Sequence, residues 1–292
     1  DIPIVSYGNT EQINTLRLWS AEPVYKDEQY CPVSDWDCNG RLEDYEKGIE
    51  GISNILYPDD HSQAGRELRL KQEYFFVSSG LASIVRNYKK NNSTIVGFSR
   101  RVSIHINDTH PALCVPELMR ILLDEEGLSW EDAWEITINT ISYTNHTILP
   151  EALEKWPVEL MAEILPRIHM IIEEIDRRFK DRISTRYVRV RELISNTSVI
   201  FDGQVWMANL AVIGSHSVNG VSALHTEILK HDVHPDFNVI YPYKYNNKTN
   251  GISHRRFVLD ANPALSGLIT ESIGDGWISD ASQLEKLLLL KE

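Results

Sequence analysis

The sequence lacks the features that mark a membrane protein or a secreted protein held together by disulfides. No apolar run reaches the roughly 18 residues that a transmembrane helix needs, because two glutamates interrupt the longest candidate, at 168–175. Cys31, Cys38 and Cys114 are too few for a disulfide framework, so we predict a reducing, cytoplasmic location and no membrane partner. A signal peptide and an initiator Met are also missing, and we expect the chain to be processed or excised from something longer.

The 292 residues form an acidic chain of ordinary globular composition. Hydrophobic residues make up 42% and charged residues 24%, which argues against wholesale disorder. Lys and Arg number 29 against 42 Asp and Glu, giving a formal charge of −13. Such a chain repels a phosphate backbone, so we predict no nucleic-acid partner, although the charge leaves room for a local pocket that binds one small anion.

Apolar periodicity predicts a helix-rich α/β fold. Spacing at 3.6 residues predicts helices over 42–56, 67–88, 116–126, 130–141, 150–156, 158–179, 206–213 and 221–230. Short β-like runs occur at 94–98, 102–106 and 238–241, with a hairpin over 198–207. Ser129 is the predicted N-cap of the helix at 130, and Pro166 predicts a kink. This mixture favours layers in which helices cover the strands.

Four polar segments stand next to predicted helix starts, at 107–111, 143–151, 214–221 and 246–251. Their Asn, His, Thr and Asp side chains can match sugar hydroxyls, each of which both donates and accepts hydrogen bonds. Open α/β sheets bind ligands in loops at the carboxyl ends of their strands. Taken singly, each segment also suits an ordinary helix cap or turn. Composition and spacing alone therefore predict an α/β protein with a polar pocket.

Two further patterns have an ordinary alternative. His225, His231 and His234 lie close in sequence, but no carboxylate or cysteine stands at a standard ligand spacing, so we predict no metal site. The paired acids Asp59 and Asp60 are compatible with acid/base cleavage of a glycoside, and equally with a solvated loop end.

Taken together, the polar segments and two others resemble α-glucan (glycogen/maltodextrin) phosphorylases. The resemblance is carried by 15–21 (Thr-Leu-Arg-Leu-Trp-Ser-Ala), 68–75 (Leu-Arg-Leu-Lys-Gln-Glu-Tyr-Phe), 107–111 (Asn-Asp-Thr-His-Pro), 143–154, 214–221 and 247–252. These segments occur in the order that the family has. They span nearly all of this chain, but only a middle part of the family's polypeptide.

The resemblance implies a reaction, a cofactor and an architecture. Phosphorylases transfer a terminal α-1,4-linked glucosyl unit of a glucan to phosphate, giving glucose 1-phosphate with retention of configuration. Pyridoxal phosphate, bound by a lysine as a Schiff base, serves in proton transfer. The fold has two Rossmann-like domains of the GT-B glycosyltransferase type, and this chain would supply the later part of the N-terminal domain (1–250) and the beginning of the C-terminal domain (251–292). The helix at 42–56 matches one that contacts the partner subunit in family homodimers.

The resemblance also assigns roles to individual residues. His146 would be catalytic, with its backbone carbonyl near the positive charge that develops at the anomeric carbon. Asn250 and the His146 side chain would hydrogen-bond the glucosyl 6-hydroxyl, and Val221 would pack near that group. Asp108 would line the pocket, and Asp60 belongs to the loop that gates the site. In many relatives this loop is rich in asparagine, and the departures at 59 and 61 put its direct sugar contacts in doubt.

No segment matches the family's cofactor lysine or its glycine-rich loop. We therefore expect no cofactor-binding residue in this chain and no activity from it alone. A non-catalytic glucan-binding or scaffold module is an alternative from another class, and a different retaining glycosyltransferase of the same fold is a third reading.

Overall fold

A computed structural model describes residues 1–5, 13–24, 38–187 and 190–291. The strands are β1 (Ile2–Val5), β2 (Ile13–Leu16), β3 (Ile104–Asn107), β4 (Ile141–Thr144), β5 (Lys155–Pro157), β6 (Ile200–Phe201), β7 (Gln204–Trp206), β8 (Ser217–Gly220) and β9 (Tyr245–Asn247). The α-helices are α1 (Cys38–Asn54), α2 (Gln63–Lys89), α3 (Cys114–Arg120), α4 (Trp130–Thr140), α5 (Val158–Ile164), α6 (Pro166–Arg186), α7 (Val190–Thr197), α8 (Met207–Ile213), α9 (Ala223–Ile228), α10 (Pro235–Ile240) and α11 (Pro263–Ile273).

The chain divides into two compact units, which we describe separately. The larger unit is Trp19–Thr249, and the smaller combines Asp1–Leu18 with Asn250–Glu292. The assignment of 1–250 and 251–292 to parts of two larger domains stays a prediction.

A four-stranded parallel sheet forms the framework of the larger unit. Its strand order is β3-β4-β8-β9, and all three neighbouring pairs are parallel. Parallel strands need long crossover connections, and helices supply them: α3 and α4 lie between β3 and β4, and α9 and α10 between β8 and β9. Strand β4, with neighbours on both sides, is buried along its whole length. The prediction of a helix-rich α/β protein is confirmed in this form.

The long helix α2 was predicted from its apolar stripe, and the structure confirms it. Leu70, Val77, Leu81 and Tyr88 are buried on one face. The cap predicted at Ser129 is also confirmed, because its Oγ accepts a hydrogen bond of 3.2 Å from the backbone N–H at 132, at the start of α4. The hairpin is the pair β6–β7, turned by residues 202 and 203 at positive φ.

Three local predictions were wrong, and each has a physical reason that lies outside the predicted segment's own pattern. The run at 94–98 is not a strand: it folds back on the end of α2, where the Tyr88 hydroxyl donates to the Thr94 carbonyl at 3.2 Å. The predicted helix at 150–156 is a short 3-10 turn followed by β5, which pairs with β7 and buries Trp156. The predicted strand at 238–241 lies largely in α10, which Pro235 begins with its fixed φ and which buries Phe237.

At Pro166 the helix is interrupted more strongly than predicted. Instead of a kink there is a complete break, because Leu165 leaves helical geometry (φ −128°, ψ 59°) and Pro166 starts the new helix α6. Cys114 is a buried free thiol whose pKa is raised by burial to about 12, whereas Cys31 lies outside the described residues.

In the smaller unit, β1 and β2 form an antiparallel pair, and helix α11 is followed by 3-10 turns at Asp275–Ile278 and Ala281–Leu290. Trp277 is fully buried and its indole N–H donates to Thr270 Oγ1 at 3.1 Å. Among the described residues of both units, no helix is long and apolar enough to cross a membrane.

Candidate active site

The polar segments of the sequence converge at the carboxyl edge of the parallel sheet. Asp108 directly follows β3, His146 is two residues beyond β4, and Val221 directly follows β8. The backbone ladder continues one residue past the strands. Asp108 N–H donates to the Thr144 carbonyl at 2.9 Å, the N–H of residue 145 to the carbonyl at 219 at 3.0 Å, and the N–H of residue 248 to the carbonyl at 220 at 3.1 Å. Three of the predicted site residues therefore start from one ordered edge.

The exposed imidazole of His146 is oriented by the strand next to its own. Its Nε2 lies 2.5 Å from Asn107 Oδ1, at the end of β3. The amide oxygen can only accept, so in this arrangement Nε2 carries the hydrogen and Nδ1 of a neutral ring is the acceptor.

A chain of side-chain hydrogen bonds supports this edge across three strands. Ser142 Oγ lies 2.8 Å from His105 Nδ1, and His105 Nε2 contacts Thr144 Oγ1. Thr144 in turn donates to Asn219 Oδ1 at 2.8 Å. Burial, followed by the neighbouring imidazole of His146, lowers the pKa of His105. A neutral His105 can accept at one nitrogen and donate at the other, which this chain requires.

His225, in the first turn of α9, is a second imidazole at the edge. Its Nδ1 accepts a hydrogen bond from the backbone N–H of Val221 at 3.0 Å, and the backbone N–H of His225 donates to Oγ of the N-cap Ser222 at 3.1 Å. Burial and then the charge of His146 lower the pKa of His225, while Asp108 acts in the opposite direction. Asp108, His146 and His225 therefore share one electrostatic environment. In the sequence, His225 was considered only as a metal ligand, and its position at this edge was not predicted.

Asp108 itself turns the chain out of the sheet. Its φ of 66° lies in the left-handed region, which Asp tolerates better than most residues because its short side chain bonds locally. Here Oδ1 accepts the N–H of Thr109 at 2.8 Å. The turn buries Thr109 and leaves His110 half exposed.

Asp60 reaches the same edge through Arg69 on α2. Arg69 Nη1 donates to Asp60 Oδ2 at 2.7 Å, and the other guanidinium nitrogens lie 3.4 Å from Oε1 of Glu73 and 3.4 Å from Oε1 of Glu154. Asp60, Arg69, His110 and Glu154 line a cavity of about 440 Å³. The loop that carries Asp60 is therefore tied to the edge of the sheet by one shared guanidinium.

His110 completes this cluster. Its Nδ1 lies 3.4 Å from Oε1 of Glu154 and 3.9 Å from Oε1 of Glu73, and the hydrogen bond with Glu154 is the main cause of a raised pKa for His110. Ligand atoms of Glu73, His110 and Glu154 lie within 4.8 Å of one another, as do those of the exposed trio at 59–61. We assign no metal to the first set, because Arg69 already lies against both carboxylates, nor to the exposed second set, which shows nothing beyond its acidic cluster.

Sequence reasoning singled out none of Arg69, Glu73, His110 and Glu154, although all four lie within the segments that carry the family resemblance. For two of them the sequence does contain an indication. Arg69 and Glu73 are charged residues four positions apart on α2, next to buried Leu70 of the apolar stripe. Asn250 is exposed and begins the smaller unit, three residues after β9.

Comparison with known proteins finds one family along the whole chain. A family model for carbohydrate phosphorylases matches residues 1–292. The glycogen phosphorylase of Bacillus subtilis (strain 168) is 52% identical over 287 residues, which are 98% of this chain and 35% of that protein. The muscle form from Bos taurus is 44% identical over 301 residues, 99% of this chain and 35% of its own. The chain thus spans about 35% of the length of the curated relatives it matches.

Proposed function

Because the chain belongs to the carbohydrate phosphorylase family, we propose that the whole protein transfers a terminal α-1,4-linked glucosyl unit of a glucan to phosphate. The product is glucose 1-phosphate with retained configuration. The observation that supports this chain's part in the reaction is the imidazole of His146, exposed at the carboxyl edge of the sheet and held by Asn107. This part of the protein supplies the sugar side of the active site.

His146 acts on the sugar in two ways. Its backbone carbonyl faces the anomeric carbon, where the negative end of the C=O dipole stabilises the developing positive charge. With Nε2–H donated to Asn107, Nδ1 is left to accept a hydrogen bond from the glucosyl 6-hydroxyl, which Asn250 also binds. Val221 packs beside that hydroxyl, and Asp108 borders the pocket.

Asp60 belongs to the gate of the site. Its carboxylate is half exposed and is held by Arg69 at 2.7 Å, so the loop can close over a bound glucan while one ion pair anchors it. Screened surface pairs contribute little stability, which suits a segment that must open and close.

The wider architecture follows the family. Two Rossmann-like domains of the GT-B type, with 1–250 in the first and 251–292 in the second, enclose the site of a cytoplasmic homodimer in which α1 contacts the partner subunit. Pyridoxal phosphate, when bound, supplies the phosphate group that transfers a proton.

Among the described lysines, the one with a lowered pKa does not suit the role of the lysine that binds this cofactor as a Schiff base. Lys244 has the lowered pKa, about 7, that a reactive amine needs, and burial is its main cause. However, Lys244 Nζ donates to the carbonyls of Val212 and Ile213 at 2.8 and 3.3 Å, at the carboxyl end of α8. Lys244 therefore stabilises a helix end, and we derive no step through the cofactor here.

The proposal is tested with His146→Ala in the full-length protein. Loss of a preorganised polar group at the reacting carbon lowers kcat by about 10²-fold, measured as glucose 1-phosphate released from glycogen and phosphate. His231→Ala is the matched control, because His231 is exposed in the helical turn that follows α9, beside Glu227. Turnover of the His146 variant close to that of the control would contradict the assignment.

A further inference from the structure

Two glutamates lie close together beside the cavity that borders the sheet edge, and one of them, Glu154, lines it. Glu73 is on α2, Glu154 directly precedes β5, and their side chains are only 10% and 8% exposed. Their carboxylate oxygens lie within 4.8 Å of each other and of a His110 nitrogen. On each glutamate Oε2 is buried and has no hydrogen-bond partner among the described residues. Two buried carboxylates with half of their oxygens unsatisfied require an explanation.

The charges around the pair do not balance two negative carboxylates. Arg69 is the guanidinium in contact with both, and its shortest bond, 2.7 Å, is to a third carboxylate, Asp60. His110 is half exposed and carries a positive charge only when it is protonated. The other charged groups that line the cavity are Arg66, Glu151 and Lys155, and Lys155 Nζ lies over the Trp206 ring at 3.7 Å. Like charges at this separation cannot both ionise without a large cost when buried.

The two glutamates are not equivalent. His110 Nδ1 is 3.4 Å from Glu154 but 3.9 Å from Glu73, so the imidazole favours a charge on Glu154. Burial and then the charge of Glu154 raise the pKa of Glu73 well above its ordinary value. For Glu154 burial also acts upward, but its hydrogen bonds with His110 and Glu73 outweigh it, so its pKa is lowered.

We propose that Glu73 is protonated at neutral pH and donates a hydrogen bond to ionised Glu154, which makes Glu73 a positioning residue for the active-site edge. One proton thereby provides a partner for oxygens that otherwise have none. Ionised Glu154 holds Arg69 and His110, and Arg69 holds the loop of Asp60. As pH rises, the proton on Glu73 leaves to solvent, two anions face each other, and this chain of contacts loosens. The positioning role rests on the function proposed above, whereas the location of the proton does not.

The test compares Glu73→Gln with Glu154→Gln in the full-length protein, because a glutamine side chain has the shape of a protonated glutamate. The free energy of unfolding is measured with urea from pH 5 to 9, and kcat and KM are measured over the same range. When the pKa of a carboxyl group is raised in the folded state, the free energy of unfolding falls as pH rises above the group's ordinary pKa of 4.5. Glu73→Gln removes that loss, so we expect it to be at least as stable as the wild type at pH 8.

In the same experiment, Glu73→Gln keeps kcat at pH 7 within about twofold and extends activity to higher pH. Glu154→Gln lowers kcat/KM about tenfold or more, within the 10²-fold that a small misplacement at an active site can cost, and is less stable than the wild type. Glu73→Leu, which cannot donate the hydrogen bond, loses activity that Glu73→Gln retains.

Three outcomes would overturn the inference. If Glu73→Gln is as damaging to stability at pH 8 as Glu154→Gln, Glu73 is ionised. If Glu154→Gln is tolerated and Glu73→Gln is not, the proton is on Glu154. If both stability results are as expected but Glu73→Gln loses kcat at the same alkaline pH as the wild type, Glu73 has no positioning role. A full-length protein without phosphorylase activity overturns the proposed function and the positioning role with it, and the unfolding data alone still decide which glutamate holds the proton.

Discussion

Helix α2 presents polar side chains to two buried carboxylate sites that are built in opposite ways. At Glu117 of α3, which is fully buried, both oxygens are saturated. Oε2 accepts from the Tyr74 hydroxyl at 2.9 Å and from Arg120 Nε at 2.8 Å, and Oε1 accepts from Ser78 Oγ at 3.1 Å and from Arg120 Nη2 at 2.9 Å. At the Glu73–Glu154 pair, one oxygen of each carboxylate has no partner among the described residues, and one guanidinium is shared with Asp60.

The difference separates a structural carboxylate from a functional one. A saturated buried charge rigidifies the contact between α2 and α3. A buried carboxylate pair with unsatisfied oxygens beside a cavity has a perturbed proton affinity, which is typical of functional sites. The two sites use neighbouring residues of α2, Glu73 and Tyr74, whose side chains leave the helix on different sides.

The largest effect that this comparison predicts is at Glu117. Glu117→Ala leaves Arg120 without its main partner and two hydroxyls unpaired, and removing one member of a buried ion pair costs about 3–5 kcal/mol in the free energy of unfolding. Urea unfolding measures this loss. Glu125→Ala is the control, because it removes the exposed partner of the same Arg120, bonded at 2.8 Å, and is expected to change stability by less than about 1 kcal/mol. Equal losses for the two variants would mean that Glu117 is no anchor.

A smaller effect is expected from Tyr74→Phe, which removes a single donor to Glu117 and costs about 1.5–3 kcal/mol, as for a hydrogen bond to a charged group. Burial and then the charge of Glu117 raise the pKa of Tyr74 to about 12. Since the unfolded phenol ionises near 10, the advantage of Tyr over Phe is complete below pH 10 and declines as pH rises toward 12.

Chemical denaturation at pH 8 and at pH 10.5 tests both parts of this prediction. Tyr243→Phe is the control, because that side chain is 99% exposed. An unchanged midpoint at pH 8 would show that Arg120 and Ser78 alone satisfy Glu117.

The smallest effect is expected at His110, in the undersatisfied cluster. Its pKa is raised, chiefly by the hydrogen bond to Glu154, so its contribution to stability is complete below the ordinary value of 6.5 and is lost as pH rises through the raised value. The wild type should exceed His110→Gln in unfolding midpoint by more at pH 6 than at pH 8.5. A difference that grows toward alkaline pH would reverse the sign of the proposed interaction, and His231→Gln, at an exposed position, provides the baseline.

The sequence predicted local structure well where the apolar pattern was long. The stripe along α2 and the cap at Ser129 rest on contacts three or four residues apart, which a pattern records. The error at 150–156 arose because pairing with β7, about 50 residues away, decided the structure of β5. Intrinsic preferences over seven residues are too weak to compete with such tertiary contacts.

The candidate site divides in the same way. Polar segments after β-like runs indicated a pocket, and the family resemblance, not spacing, singled out His146, Asp108 and Val221. The clusters around Glu117 and Glu154 could not be predicted, because Tyr74 and Arg69, which connect them to α2, are 43 and 85 residues away in sequence. A carboxylate pair that shares a proton leaves no trace in a sequence read without its fold.

The backbone ladder that runs one residue past each strand also has a dynamic consequence. The amides at 108, 145 and 248 are bonded to the neighbouring strand or loop, so their hydrogens are released to solvent only when the sheet edge itself opens. Opening of the sheet edge costs more free energy than fraying of a free loop, so it is rarer. Under the proposed function, the backbone beneath a bound sugar would stay fixed on the timescale of turnover, and the motions of the catalytic cycle would be left to the loop around Asp60.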